Sequence, residues 1–317
     1  MSIIRVAVIG GGVSCEHGVS LASAAGVTGA LTTAGYAVIP LTIDRDGTWR
    51  DGKKRPIGLA GAVHLLRTCA VVVPVLHGPH GEDGTLAALC DLAGVPFVGS
   101  PLAAGALAMD KWVTKLVAGA VGVVTAPGRL LTRSTAAAYQ FTQPVVIKPV
   151  SAGSSHGVSL VRAAGQLAPA LAGALAVDER VLVEDVIAGR EIDVAVLGRP
   201  DGSRMVAPAL EVVLPDTGIF DLTAKYDGSA VFRVPAPLSE PERKELEQAA
   251  ITVYDALGCN GVARVDFFLT GTGPVLNEVN TMPGFTEHSQ VPRMFAAAGL
   301  AYPELLDLLV RDLLGRP

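Results

Sequence analysis

Charged residues are scarce in this chain, 17% of its 317 residues against 50% hydrophobic. That balance suits an α/β enzyme with buried parallel strands, and the length allows a sizeable core and more than one compact unit. The charge that is present sums to a formal −5, which argues against nucleic acid as the main partner. Cysteine is scarcer still. Cys15, Cys69, Cys90 and Cys259 are scattered without CxxC spacing, which speaks against structural zinc and a disulfide framework and for buried, reduced thiols in a cytosolic protein. No apolar run reaches the length of a membrane span, and MSIIRVAVIGGG reads as a first strand and not a signal peptide. A cytoplasmic location without a membrane partner is therefore expected. Repeats and low-complexity tails are missing too. Lysine occurs only seven times against eighteen arginines, so the positions it keeps are informative.

Several signatures of other chemistries are also absent. IIRVAVIGGG followed by VSLASAAGVTGALTTAGY reads as strand, glycine turn and helix, with AVIPLTI as a second strand, but the glycines lack G-x-G-x-x-G spacing. Glu16, in the loop after those glycines, either caps the following helix or faces a ligand. CAVVVPVLHG is a buried strand, HGPHGEDG a glycine-rich loop, TLAALCDLAG a helix closed by glycine, and VPFVGS another strand. His77, His80, Glu82 and Asp83 follow no known metal-ligand spacing. This α/β unit ends near Ser100. Beyond it, PVVIKPVSAGSSHGVSLV reads as strand, small-residue loop and strand. Lys148 beside Gly153 and Gly157 suits a phosphate-covering loop, and an ordinary surface loop stays open. It is not a Walker A sequence, and no G-x-S-x-G elbow surrounds Ser154 to make it a nucleophile. RVLVEDVIAGREIDVAVLG gives two apolar strands with a polar interruption, LSEPERKELEQAAITVYDALG an amphipathic helix capped by Ser239, and YPELLDLLVRDLLG a terminal helix packed on the core.

The densest chemistry lies in GVARVDFFLTGTGPVLNEVNTMPGFTEHSQ, residues 261–290, which reads as two strands and a turn. Residues two apart share a face, so Arg264 goes with Asp266 and Glu278 with Asn280. A turn centred near Thr272 sets Asp266 opposite Glu278 and Arg264 opposite Asn280. Opposed carboxylates repel. A hard divalent cation reverses that sign, since Asp, Glu and Asn oxygens are ligands magnesium prefers. The competing reading is a solvated hairpin face.

GVARVDFFL and VLNEVNTMPGFT resemble the D-alanine–D-alanine ligases of the ATP-grasp superfamily. The resemblance continues in GGGVSCEHGVSL, LHGPHGEDG, VGSPLAAGALAMDK, IKPVSAGSSHG and FDLTAKY, in the family's order over almost the whole chain. It implies a mixed α/β and α+β architecture, an ATP-grasp fold with an N-terminal parallel α/β domain (1–100) and two lobes (101–187 and 188–317) enclosing ATP. Lys111, Lys148 and Lys225 would meet the nucleotide; Glu184, Asp185, Val186 and Ile187 match the adenine hinge and Glu191 the ribose contact. Asp185 departs from the Lys or Gln common there. Asp266, Glu278 and Asn280 would hold two Mg2+ ions, with Mn2+ as a substitute. Glu16, Ser154 and Tyr226 match the group that seats the first amino acid, Arg264 the oxyanion donor and Ser289 the contact to the second substrate's carboxylate. His77, Gly284 and Gln290 would line the amino-acid pocket. The expected function is ATP-dependent joining of two D-alanines through an acyl phosphate, for peptidoglycan synthesis, in a homodimer with small-molecule amino-acid substrates. Alternatives are a same-fold ligase with D-serine, D-lactate or another acceptor, or a non-catalytic nucleotide-binding protein, against which the intact charged set argues.

Overall fold

The computed structural model describes residues 3–213 and 231–315. Three sheets succeed one another along the chain. The first holds β1 (Arg5–Gly11), β2 (Ala37–Ile43), β3 (Trp49–Arg50) and β4 (Val71–Pro74) in the order β3-β2-β1-β4. β1 runs parallel to both neighbours, and β3 is an antiparallel edge. Parallel strands covered on both faces need continuous apolar runs, and β1 shows the reason. Val6 and Val8 enter a core with the helices His17–Thr33 and Tyr302–Leu314. Ala7 and Ile9 enter a second core with Gly58–Leu66 and Thr85–Ala93. The stretch VPFVGS, expected as a strand, makes only one parallel bridge, Val72 with Phe97. β4 ends at Pro74, which has no N–H to continue the ladder.

The second sheet is antiparallel, β5 (Gly128–Thr132), β6 (Val145–Pro149), β7 (Ser159–Val161) and β8 (Arg180–Asp185), in the order β5-β8-β6-β7. The helix Leu167–Val177 packs Leu171 and Ala174 against Val145, Ile147, Val181 and Val183. Side chains alternate along a strand, so Val146 and Lys148 are sent to the opposite face.

The third sheet takes β9 (Arg190–Gly198), β10 (Arg204–Val206), β11 (Leu210–Val213), β12 (Val231–Arg233), β13 (Gly261–Thr270) and β14 (Gly273–Asn280). Its order is β12-β11-β9-β13-β14, with β10 also on β9, and all its pairs are antiparallel. On β13, Ala263, Val265, Phe267 and Leu269 face a core shared with the helix Glu240–Ala256. Ala104, Ala108 and Ala118 of the helices Leu102–Met109 and Lys111–Ala120 pack into the same core. Ser239 caps Glu240–Ala256 in a capping box with Glu242. The other face of the sheet is apolar at one end, where Val262, Ala195 and Leu197 join the core around Val6 and Val8. At the next positions it becomes charged, with Arg264, Asp266 and Asp193.

Candidate active site

Thr270 pairs with Gly273 across the tip of the β13–β14 hairpin. Continued without change, that register would set Asp266 against Asn277. A bulge next to Asp266 takes up Asn277 as one extra residue, after which Asp266 faces Glu278 and Arg264 faces Asn280. The pairing expected from the sequence is thus reached by a turn half a step earlier and a compensating bulge. The bulge has a second effect. Asn277 and Glu278 both line one cavity, although neighbours on a regular strand would point to opposite faces.

The opposed carboxylates are neutralised by cations of the chain itself. Arg264 forks onto Asp266, Nε to Oδ1 and Nη2 to Oδ2, both at 2.7 Å. Asn280 donates its amide N–H to Asp266 Oδ2 at 3.0 Å. Lys111 Nζ lies 3.3 Å from Glu278 Oε2 and donates to the Ala152 carbonyl at 2.8 Å. Burial alone would lower the Arg264 pKa, but Asp266 and Asp193 hold it well above its ordinary value. Asp266, Glu278 and the Asn280 amide oxygen are a donor set for a hard divalent cation. Arg264 and Asn280 take three of the roughly four lone-pair sites of the Asp266 carboxylate, so a cation would share Asp266 with the guanidinium through Oδ1. Among the described residues no His, Cys, Asp and Glu cluster is already spaced as a metal cage.

A cavity of about 590 Å3 separates this hairpin from the second sheet. Lys148 reaches it from β6 and Glu184 from β8, paired at 2.5 Å, and Lys115 holds the other Glu184 oxygen, also at 2.5 Å. Burial pushes the Glu184 carboxyl up, but Lys148 and Lys115 outweigh it and the net shift is downward. Burial also lowers the Lys115 pKa against the pull of Glu184. Lys148 further donates to Asn277 Oδ1 at 3.2 Å, joining the second sheet to the bulge. Asp185, Val186, Ile187 and Glu191 line the same cavity. The Asp185 N–H is engaged by the Pro127 carbonyl at 2.9 Å, and its carboxylate accepts from Gln143 at 2.6 Å.

A smaller pocket of about 230 Å3 adjoins it, and Arg264, Glu278 and Gln290 line both. Glu16 stands at the N-cap position of His17–Thr33 but makes no side-chain cap. Its carboxylate accepts from Ser154 Oγ instead. A Cβ on Gly153 would lie 2.6 Å from Glu16 Oε2, so only glycine admits this approach. His77 is buried; its Nδ1–H donates to the Met282 carbonyl at 2.8 Å, and burial lowers its pKa toward the neutral ring. Ser289 Oγ accepts the Thr286 N–H at 3.0 Å, and Gly284 lies against it. Gln290 opens the helix Gln290–Ala297 and takes a hydrogen bond from Arg264 Nη1 at 2.7 Å. Lys225 and Tyr226 lie outside the described residues.

Four residues of this region went unread as site residues in the sequence. Lys115 follows Lys111 by one helical turn, and the rarity of lysine could have drawn attention to it. Asp193 stands two after Glu191 on an apolar strand, the same period-2 signal as Arg264 and Asp266. Asn277 needed the bulge. Glu82 accepts the Gly78 N–H at 2.8 Å, and burial followed by the charge of Glu16 pushes its carboxyl up to about 8.

Comparison with known proteins follows these features across the chain. The D-ala D-ala ligase N-terminus model matches residues 5–63 and 58–100, and the D-ala D-ala ligase C-terminus model matches 125–311. A D-alanine–D-alanine ligase of Corynebacterium aurimucosum is 40% identical, covering 99% of this chain and 98% of its own. The D-Ala:D-Ser ligase VanG of Enterococcus faecalis superposes with a TM-score of 0.86 at 35% identity, over 98% of this chain and 100% of its own. A Bacillus anthracis D-alanine–D-alanine ligase complexed with ATP gives a TM-score of 0.81 at 26% identity, over 98% and 97%. From its first strand to its last helix, the chain belongs to the D-alanine–D-alanine ligase family, with the ATP-grasp fold.

Proposed function

We propose that this protein joins two D-alanine molecules at the expense of ATP, releasing ADP and phosphate and supplying the dipeptide for peptidoglycan. The observation that carries this reading is the junction of the two cavities at Arg264, Glu278 and Gln290. ATP lies in the larger one, its base against Glu184–Ile187, its ribose at Glu191 and its phosphates toward Lys111 and Lys148. The first D-alanine lies in the smaller one, its ammonium at Glu16, with His77 below. Its carboxylate oxygen attacks the γ-phosphorus, the bond to the β-γ bridging oxygen breaks, and ADP leaves an acyl phosphate. The second amine then attacks the acyl carbon, Arg264 faces the oxyanion, and phosphate departs as the amide forms. The amine's proton passes to solvent or phosphate.

Asp266, Glu278 and Asn280 would hold two Mg2+ ions, or Mn2+, which supply charge neutralisation to the transferring phosphoryl group. On binding ATP, Lys148 exchanges Glu184 and Lys111 exchanges Glu278 for phosphate oxygens. Ser154 closes the 151–157 loop over Glu16 and excludes the water that would hydrolyse the acyl phosphate. Ser289 and Gly284, at the entry of Gln290–Ala297, receive the second carboxylate, and by resemblance Lys225 meets the nucleotide and Tyr226 helps to seat the first D-alanine. The units 1–100, 101–187 and 188–317 each contain one sheet, but the helices Leu102–Met109 and Lys111–Ala120 pack on the third sheet and Tyr302–Leu314 on the first. ATP lies between the second and third sheets. A cytoplasmic homodimer fits the family; among the described residues no helix is long and apolar enough to cross a membrane.

Phosphate release from ATP with and without D-alanine, together with mass detection of the dipeptide, tests the function. D-alanine-dependent phosphate and dipeptide in equal amounts are expected; phosphate release indifferent to D-alanine would overturn it. D-serine is the second reading for the acceptor, favoured by the polar Gln290 amide on the pocket wall. Direct competition of D-alanine, D-serine and D-lactate separates the readings.

A further inference from the structure

Asp193 is 1% exposed, on a strand whose other central residues are Ile192, Val194, Ala195 and Val196. A carboxylate at such a place is costly unless it is held by partners that need it. It stands directly opposite Asp266 on β13, which in turn stands opposite Glu278 on β14. Three carboxylates thus form one row across three adjacent strands. Asp193 Oδ2 accepts from Gln290 Nε2 at 2.7 Å and lies 3.6 Å from Arg264 Nε. Gln290 Oε1 accepts from Arg264 Nη1 at 2.7 Å. The orientation of the Gln290 amide is fixed by these partners, since a guanidinium only donates and a carboxylate only accepts. Asp193, Gln290 and Arg264 close a triangle that ties the entry of the helix Gln290–Ala297 to the guanidinium.

We propose that Asp193 is a positioning residue that orients Gln290 and keeps Arg264 at the junction when Asp266 turns to a divalent cation. The proposal rests on the roles given above to Arg264 and Asp266. Arg264 has two aspartates within reach, and only Asp266 shares the opposed pair with Glu278. A metal that shares Asp266 draws on the same carboxylate charge and weakens its hold on Arg264. Asp193 then remains as a counter-charge beneath the guanidinium, while Gln290 fixes its outer edge. The separation between the oxyanion donor and the helix entry that receives the second carboxylate is preserved. Asp193 lines the larger cavity beside Asp266 and Glu278, apart from the Glu184–Ile187 segment given to the base, so its loss should reach the second half-reaction more than nucleotide affinity.

The test compares full-length parent protein with Asp193→Asn, Gln290→Met and the double swap Asp193→Asn with Gln290→Glu. Steady-state rates are measured against ATP and against D-alanine, the latter over a range wide enough to resolve both sites, and ATP affinity is measured separately by equilibrium binding without D-alanine. Asp193→Asn should raise the acceptor KM about tenfold and lower kcat about tenfold, with the KM for ATP within about twofold of the parent. Gln290→Met, which keeps the buried charge, should raise the acceptor KM with the KM for ATP unchanged. In the double swap the carboxylate moved onto the helix entry takes Arg264, and the amide moved onto β9 donates to that carboxylate. The acceptor KM should then return to within about threefold of the parent. An Asp193→Asn protein with parental kinetics, or losses that the swap does not recover, would overturn the proposal. Should Asp193→Asn not fold, an unchanged acceptor KM in Gln290→Met overturns it equally. A parent that makes no dipeptide sinks the ligase reading itself, whereas a ligating parent indifferent to these variants sinks only the role of Asp193.

Discussion

The β13–β14 hairpin and the loop 151–157 contribute to the same junction by opposite means. On the hairpin, Arg264, Asp266, Glu278 and Asn280 are placed by strand register, and the far face is anchored by Val265, Phe267 and Val279, all 5% exposed or less. In the loop, Ser154, Ser155 and Gly157 have positive φ, and no ladder fixes them. The loop is held by contacts reaching in from elsewhere: Ser151 N–H to Asp178 at 2.8 Å, Lys111 to the Ala152 carbonyl and Ser154 to Glu16. The sheet carries charge geometry that is present before any ligand arrives. The loop carries closure, which must be reversible for substrate to enter. A change on the hairpin should therefore alter chemistry without altering access, and a change in the loop should do the reverse.

The sharpest break of that contrast is Glu278→Gln. It removes a charge of the opposed pair and leaves the apolar face untouched, so turnover should fall about a thousandfold with a melting temperature near the parent's. Unchanged turnover at saturating magnesium would remove Glu278 from the metal set. Gly153→Ala comes next. The added Cβ would meet Glu16 Oε2 at 2.6 Å and displace a flexible carboxylate, so the KM for the first D-alanine should rise about tenfold with no loss of stability. A parental KM in this variant would show that the Glu16–loop approach is not needed in the working enzyme.

Glu82 lies between the two regions and adds a pH dependence. Its carboxyl is raised from 4.5 to about 8 by burial and by Glu16, so the folded protein binds a proton that the unfolded chain releases. The associated stability is present below about pH 4.5 and is lost as pH rises through about 8. Glu82→Gln keeps the neutral form. Its melting temperature relative to the parent should climb by a few degrees between pH 5 and 8.5, and a flat difference would contradict the assigned shift. The smallest effect belongs to Ser239→Ala, behind the hairpin. Loss of the capping box should lower stability by about 1 kcal/mol in urea unfolding and leave every kinetic constant in place. A changed kcat there would mean that the helix Glu240–Ala256 transmits more to the hairpin than its packing implies.

What the sequence disclosed follows the same division. Period-2 alternation made Arg264 with Asp266 and Glu278 with Asn280 legible, because strand faces are local arithmetic. The bulge at Asn277 was hidden, since a compensating turn gives the same final pairing. The glycine after TLAALCDLA and the Ser239 cap were legible for the same local reason. Contacts between distant segments were not. The Glu16–Ser154 bond spans 138 positions, and only the family resemblance brought those residues together in advance. Asp193 was concealed by its apolar neighbours, and Lys115 lies just past the motif VGSPLAAGALAMDK that drew attention to Lys111. The FDLTAKY stretch, with Lys225 and Tyr226, lies outside the described residues. The loop at 151–157 can be followed by hydrogen exchange, where ATP should slow exchange of its amides.

The shared core around Val6 and Val8 bears on how the protein is made. β1 leaves the ribosome well before Tyr302–Leu314, yet its inner face is covered by Leu305, Leu309 and Val310, and Tyr36 waits for Asp307 to accept its hydroxyl at 2.7 Å. During synthesis the nascent first sheet must carry bare valines until Tyr302–Leu314 has emerged. Such long-range closure slows folding and favours chaperone capture of the growing chain. Deleting Tyr302–Leu314 should therefore send the product to aggregates although every residue of the two cavities is retained.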